Sequence, residues 1–165
     1  IKALKDTNIP LVCIGQVVEN DYYEECKKLA GENIHFFEPV DNTNSQLLEM
    51  YWAAKAFVLP SYREAYPLSV IEAVLTGNHV LMTSNSMIGS SLDSFGVEKV
   101  SPDNVSGIKA WIERNIEKEK AEITQEQKQQ FSWTDVAQNL LRVYTEVMNE
   151  CDKTDCKERI SCSCK

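Results

Sequence analysis

The amino-acid sequence predicts an α/β fold built on a doubly wound parallel sheet, followed by C-terminal helices. Short apolar runs alternate along the chain with segments whose apolar residues recur at helical spacing, and the connections between them are short. The runs are apolar almost throughout, which is typical of parallel strands that helices cover on both faces. This alternation of strand and helix predicts the α/β class.

Five strands are predicted from the apolar runs. Each of the first three strands ends at a residue that typically terminates a strand or turns the chain. These residues are Gly15, Pro39 and the pair Pro60-Ser61. A polar loop, residues 84–91, follows the fourth. The predicted strands are 10–15, 34–37, 56–59, 79–83 and a short fifth strand at 97–100.

The helices are predicted from apolar positions three or four residues apart. Gly31 stops the first helix, and a short helix that begins at Pro67 is followed by Gly77, in agreement with the preference for Pro at helix starts and Gly after helix ends. Asp103 is the expected N-cap of the next helix and Ser132 that of the last. The predicted helices are 21–30, one through 47–52, 67–76, one along 105–116, and one from about 132 past 147.

Length and composition fit a single globular domain. A chain of 165 residues can bury about two-thirds of its unfolded surface. The net charge is −8 and no run of Lys and Arg exceeds two residues, which argues against a nucleic-acid partner. No apolar run approaches the roughly 18 residues that cross a bilayer. Because the net charge is negative, an anionic ligand would have to be bound by a local group of donors and not attracted by the overall electrostatic field of the protein.

The six cysteines separate a body, residues 1–150, from a tail, residues 151–165. A body of this length does not need disulfides, so we expect a reduced, cytoplasmic protein. Four of the cysteines crowd the tail, and their spacing differs from that of usual zinc sites. A loose tail is the favoured interpretation, with a metal site and disulfides as alternatives. Because the first residue is not Met, we also expect that the true N-terminus is missing.

Several common ligand-binding motifs are absent from the sequence. It contains no GxGxxG after a strand, no GxxxxGK[ST] and no pair of aspartates one residue apart. Ligands of doubly wound sheets bind beyond the carboxyl ends of the strands. The candidate binding loops are therefore 15–20, 38–44, 60–67 and 84–91.

One strand–loop–helix segment, from Pro60 to Ala73, carries two glutamates eight positions apart. Glu64 lies in the loop, and Glu72 lies about a turn and a half into the helix among apolar neighbours. An unpartnered carboxylate is costly to bury, and a pair of sugar hydroxyls is a suitable partner for it. The free amides at the helix start can bind phosphate without net positive charge. From spacing alone, two solvated glutamates explain the pattern equally well.

The run from Phe57 to Gly77 resembles the E-x7-E segment of retaining glycosyltransferases of the two-domain GT-B type, in the group-1 or GT4 family. The resemblance covers about residues 1–148, and the E-x7-E run is its most specific part. The residues that carry it are Pro60-Ser61, Glu64, Pro67, Glu72-Ala73 and Gly77, with similar segments at Ile14-Gly15, 33–36, 47–54 and Phe131-Ser-Trp.

The resemblance implies a role for each matching residue. Glu64 is the expected catalytic residue, facing the donor sugar and its leaving phosphate, and Glu72 is expected to hold the ribose hydroxyls. The backbone at Tyr66, Pro67, Leu68 and Ser69 is expected to bind the phosphates, with help from Arg63, and Val40 is expected to lie near the base. Neither a metal nor another cofactor is usual in the family.

Three departures from the family pattern stand out. Ala65 replaces the usual Gly, which leaves the loop backbone less free and alters the approach of the sugar. Residues 84–91 lack the usual G-G-x-x-E loop, although Gly89 is present. The basic G-R and K-G segment that binds the diphosphate in the family is expected ahead of Ile1.

The resemblance thus implies the donor-binding domain of a hexosyltransferase of polysaccharide biosynthesis. Its partners would be a nucleotide-sugar donor and a glycan or lipid-linked acceptor, with peripheral membrane contact through an N-terminal domain that this chain lacks; alone it is expected to be inactive. The alternative is a non-catalytic sugar-nucleotide-binding subunit of a split glycosyltransferase. A flavodoxin-like regulatory module ranks last, because no acidic cluster follows the first strand.

Overall fold

The computed structural model describes residues 1–41, 43–88 and 92–153. The chain divides into two compact units, Ile1–Glu122 and Ile123–Lys165. The first unit holds all the described strands and four α-helices, and the second holds two further helices. The cysteine-rich tail lies beyond residue 153 for most of its length, outside the described residues, so its predicted looseness stays a prediction.

Every described strand pairing is parallel, which confirms the predicted α/β class. The strands nevertheless form two sheets within the described chain, one of order β1-β2 and one of order β3-β4-β5, where a single sheet was expected. Neither β1 nor β3 has a described strand on its second edge. The bounds are β1 Leu11–Ile14, β2 Ile34–Phe37, β3 Ala56–Leu59, β4 His79–Thr83 and β5 Glu98–Val100.

The helices lie where the apolar spacing predicts them, with small differences at their ends. Asn104, and not Asp103, caps the fourth helix, because its side-chain oxygen accepts a hydrogen bond from the Gly107 amide at 2.9 Å. A short helix after Thr124 was not predicted; Thr124 and Gln127 form a capping box there. The bounds are α1 Asn20–Leu29, α2 Ser45–Ala53, α3 Leu68–Leu75, α4 Val105–Asn115, α5 Gln125–Gln129 and α6 Trp133–Lys153.

The turn from α3 into β4 requires a glycine. Gly77 has φ +78°, a left-handed conformation that costs a residue with a Cβ about 1–2 kcal/mol. An added Cβ would also stand 2.6 Å from the carbonyl oxygen of Ala121. The Ala121 amide donates back to the Gly77 carbonyl at 2.9 Å. The segment around residue 121 is therefore tied to the end of α3.

The core of the first unit is formed around β4. Val70 and Val74 of α3 and Val80 and Met82 of β4 are almost inaccessible to solvent. By strand alternation Leu81 points to the opposite face, where it packs in a second cluster. That cluster consists of Leu4, Leu81, Val100, Ile108, Trp111 and Ile112, with Ala3, Ile9, Leu11, Ala56 and Val58 packed against it. Burying each of these large side chains stabilises the fold by about 1.5–3 kcal/mol.

The region around β1 and β2 is covered less completely. Tyr23 of α1 packs its ring edge-on against Phe36 of β2, with 5.5 Å between ring centroids. No residue of α1 is buried, and Val12 and Phe37 each remain 48% exposed. Within the described part of the chain, no helix is long and apolar enough to cross a membrane.

Candidate functional site

The loops that follow β3 and β4 are joined at the carboxyl edge of the sheet. Glu64 pairs with Ser86 in an isolated parallel bridge. The Glu64 amide donates to the Asn85 carbonyl at 3.4 Å, and the Met87 amide donates to the Glu64 carbonyl at 3.0 Å. The backbone at Glu64 is therefore held by the neighbouring loop, and the residue is part of a small extension of the sheet.

The side chain of Glu64 is also fixed in position, by a hydrogen bond within its own loop. The Ser61 hydroxyl donates a 2.6 Å hydrogen bond to its Oε1 atom. The side chain is half-buried. One carboxylate oxygen is thus oriented, and the acceptor capacity of the other stays open for a further partner.

Tyr62 joins the same loop to the start of α4. Its hydroxyl donates to Asp103 Oδ1 at 2.9 Å, and its carbonyl accepts from the Asn85 side-chain amide at 3.2 Å. The hydrogen bond to Asp103 and the charge of that carboxylate raise the pKa of Tyr62. The loops after β3, β4 and β5 are therefore linked by side chains as well as by backbone.

Glu72 lies on the exposed side of α3, although its neighbours in the sequence are apolar. Successive helical residues are about 100° apart, and this rotation buries Ile71 and Ala73 while turning Glu72 outward. Its Oε2 atom accepts a 2.9 Å hydrogen bond from the Tyr51 hydroxyl of α2. The pKa of Tyr51 is strongly raised. Burial of the side chain is the largest cause, and the hydrogen bond to Glu72 and the charge of that carboxylate add to it.

Tyr51 is itself held in place by two side chains that the sequence analysis missed. Its carbonyl accepts hydrogen bonds from Asn78 Nδ2 at 2.8 Å and from Lys120 Nζ at 3.0 Å. Lys120 also donates to the carbonyls of Trp52 and Thr76, which places its charge at the C-terminal ends of α2 and α3. Lys120 belongs to a run of charged residues typical of a solvated surface, so no local signal marks this role.

The start of α3 has the features of an anion-binding helix terminus. Pro67 is the N-cap residue and makes no side-chain cap. The Val70 amide donates to the Pro67 carbonyl at 3.1 Å, but the described chain offers no acceptor to the amides of Leu68 and Ser69. The helix has no acidic residue in its first turn. Two amides are therefore free to bind an anion here.

The other predicted site residues lie partly on the Glu64 loop and partly after β2. Arg63 and Tyr66 are exposed beside Glu64, on the same loop. Pro67 is buried and has no N–H, so it can shape a phosphate site but cannot donate to it. Val40 follows β2 and is half-buried. The structure describes no hydrogen bond between the Val40 loop and the Glu64 loop.

The departures from the family pattern have a limited structural effect. No described residue other than glycine has a positive φ, so Ala65 lies in an ordinary backbone region and its Cβ causes no backbone strain. Gly89 and its neighbours at 90 and 91 lie outside the described residues.

A polar groove lies between α5 and α6 of the second unit. Its volume is about 290 Å³. None of the predicted site residues contributes to it. Its lining residues are Glu126, Gln129, Gln130, Asp135, Gln138 and Asn139. Neither in this groove nor in the rest of the described chain do three His, Cys, Asp or Glu side chains converge as a metal site would require.

The fold is thus an α/β domain of parallel strands, with a fixed carboxylate and a helix terminus at their carboxyl edge, where ligands of such sheets generally bind. Residues 1–131 match the sequence model of the family described as glycosyl transferases group 1. The chain belongs to this family. No curated protein and no solved structure matches the chain.

Proposed function

We propose that this chain is the donor-binding domain of a retaining glycosyltransferase, which transfers a hexose from a nucleotide sugar to a glycan or lipid-linked acceptor. The observation that carries the proposal is the position of Glu64. Its backbone is paired with the β4 loop and its carboxylate is oriented by Ser61. The free amides of Leu68 and Ser69 follow within the same strand–loop–helix segment.

In this proposal each group has a separate task. Glu64 faces the donor sugar at the bond that breaks, and the amides of Leu68 and Ser69, with those of nearby loop residues such as Tyr66, bind the phosphates. Arg63 adds the positive charge that a chain of net charge −8 otherwise lacks near the diphosphate. Val40 contributes to the surface under the base.

Glu72 is proposed to hold the ribose hydroxyls. Its Oε2 atom already accepts a hydrogen bond from Tyr51, and an ionised carboxylate has about four acceptor positions in all. Glu72 lies about 6 Å along the helix axis from Leu68, from the helical rise per residue. A nucleotide whose phosphates bind the helix start can therefore extend its ribose towards Glu72.

A single face binds a donor but does not orient an acceptor. We propose that a second domain, outside residues 1–165, binds the acceptor and closes the cleft, and that the whole protein works in the cytoplasm with peripheral membrane contact. Positioning two reactants supplies roughly 7–11 kcal/mol of a barrier. Donor affinity of this domain alone is expected in the millimolar range, worth about 4 kcal/mol.

The test is an NMR titration of the 165-residue chain with UDP and GDP sugars. Glu72→Gln should weaken binding by about 1–3 kcal/mol, because a charge-assisted hydrogen bond becomes neutral. Glu64→Gln should leave nucleoside binding nearly unchanged and reduce turnover in a two-domain protein. Glu49→Gln, an exposed change on α2, is the matched control. Unchanged affinity in Glu72→Gln together with unchanged turnover in Glu64→Gln would favour the interpretation of both as solvated surface residues. Turnover by the 165-residue chain alone would contradict the need for a second domain.

A further inference from the structure

The carboxylate of Glu72 is oriented by a residue of a neighbouring helix. Glu72 lies on the exposed side of α3. An exposed glutamate without a partner samples several rotamers, and ordering it for a ligand costs side-chain entropy. The 2.9 Å hydrogen bond that the Tyr51 hydroxyl of α2 donates to Oε2 restricts this freedom before a ligand binds. The position of Tyr51 therefore determines where the Glu72 carboxylate points.

Tyr51 can orient a carboxylate because its own ring is fixed. The ring packs against that of Phe57 in β3, with 5.8 Å between the ring centroids. The side chain is half-buried. Burial is also the largest reason why the pKa of Tyr51 is raised, so the hydroxyl keeps its proton and remains a hydrogen-bond donor at neutral pH.

A buried asparagine connects the backbone of Tyr51 to the end of α3. Asn78 is only 4% exposed. Its Nδ2 atom donates to the Tyr51 carbonyl at 2.8 Å and to the Thr76 hydroxyl, also at 2.8 Å. Thr76 is the C-cap residue of α3, the helix that carries Glu72. The donor and the acceptor of the hydrogen bond to Glu72 are thus connected a second time, through the protein interior.

Lys120 joins the same two helix ends. Its Nζ atom donates to the carbonyls of Tyr51, Trp52 and Thr76 at 3.0, 2.9 and 3.1 Å. All three carbonyls lie at the C-terminal ends of α2 and α3, where a cation is favourable. An ammonium group has three N–H donors, and the three carbonyls use all of them. Lys120 therefore fixes the two helices and is not a donor for a bound anion.

The hydrogen bond from Tyr51 leaves Glu72 able to accept from two further donors. An ionised carboxylate has about four acceptor positions, and Tyr51 uses one of them on Oε2. A ribose presents two neighbouring hydroxyls, which are two donors at a fixed separation. A carboxylate whose orientation is already set binds such a pair with a smaller loss of entropy than a mobile one.

We propose that Tyr51 is a positioning residue for Glu72, and that Lys120 and Asn78 fix Tyr51, so that the carboxylate is oriented to accept from both hydroxyls of a ribose. This inference rests on the proposed function, which assigns the ribose to Glu72. Tyr51 and Lys120 act through Glu72 and do not touch the nucleotide. The preference for a ribose over a deoxygenated sugar then depends on α2 and on residue 120 as well as on Glu72.

A purely structural role for Tyr51 makes a different prediction. If the contact with Glu72 only joined α2 to α3, Tyr51→Phe would lower stability and would affect all nucleotides alike. If Tyr51 positions Glu72, the loss of affinity in Tyr51→Phe depends on whether the ligand carries the ribose hydroxyls. The ratio of two affinities, with and without these hydroxyls, therefore distinguishes the two roles.

The test is an NMR titration of the 165-residue chain with UDP and GDP and with the 2′,3′-dideoxy form of each. The unsubstituted chain should bind the ribose form at least about tenfold more tightly, because the hydroxyls donate to a charged group. In Tyr51→Phe this ratio should fall below about threefold. Affinity for the dideoxy form should stay within about twofold of that of the unsubstituted chain. Tyr144→Phe, an exposed change on α6, is the matched control and should keep the full ratio.

A second variant tests the role of Lys120. Lys120→Met keeps the apolar stem and removes the three hydrogen bonds, so the ratio should fall in the same direction as in Tyr51→Phe. The fall should be smaller, because Asn78 still holds the Tyr51 carbonyl. Lys118→Met is the control for the lost charge, since Lys118 donates to Asn115 at 2.8 Å and not to α2. Equal ratios in Lys120→Met and Lys118→Met would overturn the role of Lys120.

The outcomes separate this inference from the proposed function. If Glu72→Gln abolishes the ratio and Tyr51→Phe keeps it, Tyr51 is not a positioning residue and the ribose role of Glu72 stands. Equal weakening of both ligand forms in Tyr51→Phe would also overturn the inference, in favour of the structural role. If the unsubstituted chain shows no preference for the ribose form, or binds neither nucleotide, the ribose role of Glu72 fails and this inference fails with it.

Discussion

The two halves of the first unit, one around β3–β5 and one around β1–β2, share one pattern of strands and helices but are buried to very different degrees. In both, apolar strands alternate with amphipathic helices. Around β4, Val70, Val80 and Met82 are almost inaccessible, whereas α1 and α2 have no buried residue. The central strand β4 has neighbours on both edges and β1 has one. Burial therefore depends on the neighbours that a strand acquires and not on its pattern alone.

The two halves are expected to differ most in the stability that is lost when an apolar side chain is truncated to alanine. Leu81→Ala should lower the free energy of unfolding by about 2–5 kcal/mol, because Leu81 is 2% exposed and leaves a cavity between β4 and α4. Val12→Ala in β1 should cost less than about 1 kcal/mol. Urea unfolding of both variants measures the two values. Equal losses would show that β1 is as well packed as β4.

A second pair of substitutions compares the glycines of the two halves. Gly77→Ala should destabilise the protein by about 2 kcal/mol or more, because its φ is positive and the new Cβ meets the Ala121 carbonyl. Gly15, after β1, has nothing within 4 Å of an added Cβ. Gly15→Ala should be neutral or stabilise by up to about 1 kcal/mol. Thermal unfolding distinguishes these outcomes, and a neutral Gly77→Ala would mean that segment 120–121 is not fixed against α3.

Tyr51→Phe probes the contact between α2 and the buried helix α3. It should cost about 1 kcal/mol at neutral pH, since one hydrogen bond to Glu72 is lost. The raised pKa keeps Tyr51 protonated in the folded state above pH about 10, where an unfolded tyrosine ionises. Its contribution to stability is thus complete below pH 10 and declines as the pH rises further.

Measuring the stability of Tyr51→Phe and of a control variant over a range of pH tests this explanation. The stability difference between the unsubstituted protein and Tyr51→Phe should narrow as the pH rises above 10, as measured by urea unfolding at each pH. Tyr144→Phe, an exposed change on α6, should show no such trend. A constant difference for Tyr51→Phe would contradict the raised pKa that burial and the contact with Glu72 give the Tyr51 hydroxyl.

The smallest effect is expected from removing the tail. Deletion of residues 151–165 should change the free energy of unfolding by less than about 1 kcal/mol, as for a terminus that is not tied down. Both halves of the first unit should keep their exchange rates. A large fall in melting temperature, or stoichiometric zinc in the purified protein, would show that the tail cysteines are structural.

Features set by residues close together in the sequence could be predicted, and contacts between residues far apart in the sequence could not. The bounds of β2, β3 and β4 were predicted to the residue, because short apolar runs and their closing turns are local signals. The apolar neighbours of Glu72 do not decide whether its side chain is buried or solvated, because neighbours in sequence diverge around a helix. Contacts such as Tyr62 with Asp103, 41 positions apart, or Lys120 with the ends of α2 and α3, leave no local pattern. The division of the strands into the sheets β1-β2 and β3-β4-β5 is set by pairing between residues far apart in the sequence, which also leaves no local pattern.

The loop that carries Glu64 is tied by its backbone to the β4 loop and through Tyr62 to the start of α4. Ordering a free backbone costs about 1–2 kcal/mol per residue, and here folding has already met that cost. A ligand that binds beside Glu64 therefore loses little affinity to loop immobilisation. If this loop sets the ligand preference, as proposed above, the same ties couple specificity to stability. A substitution that altered ligand preference there would also loosen the connections among three strand ends, so a new preference would have to arise together with compensating changes in the fold.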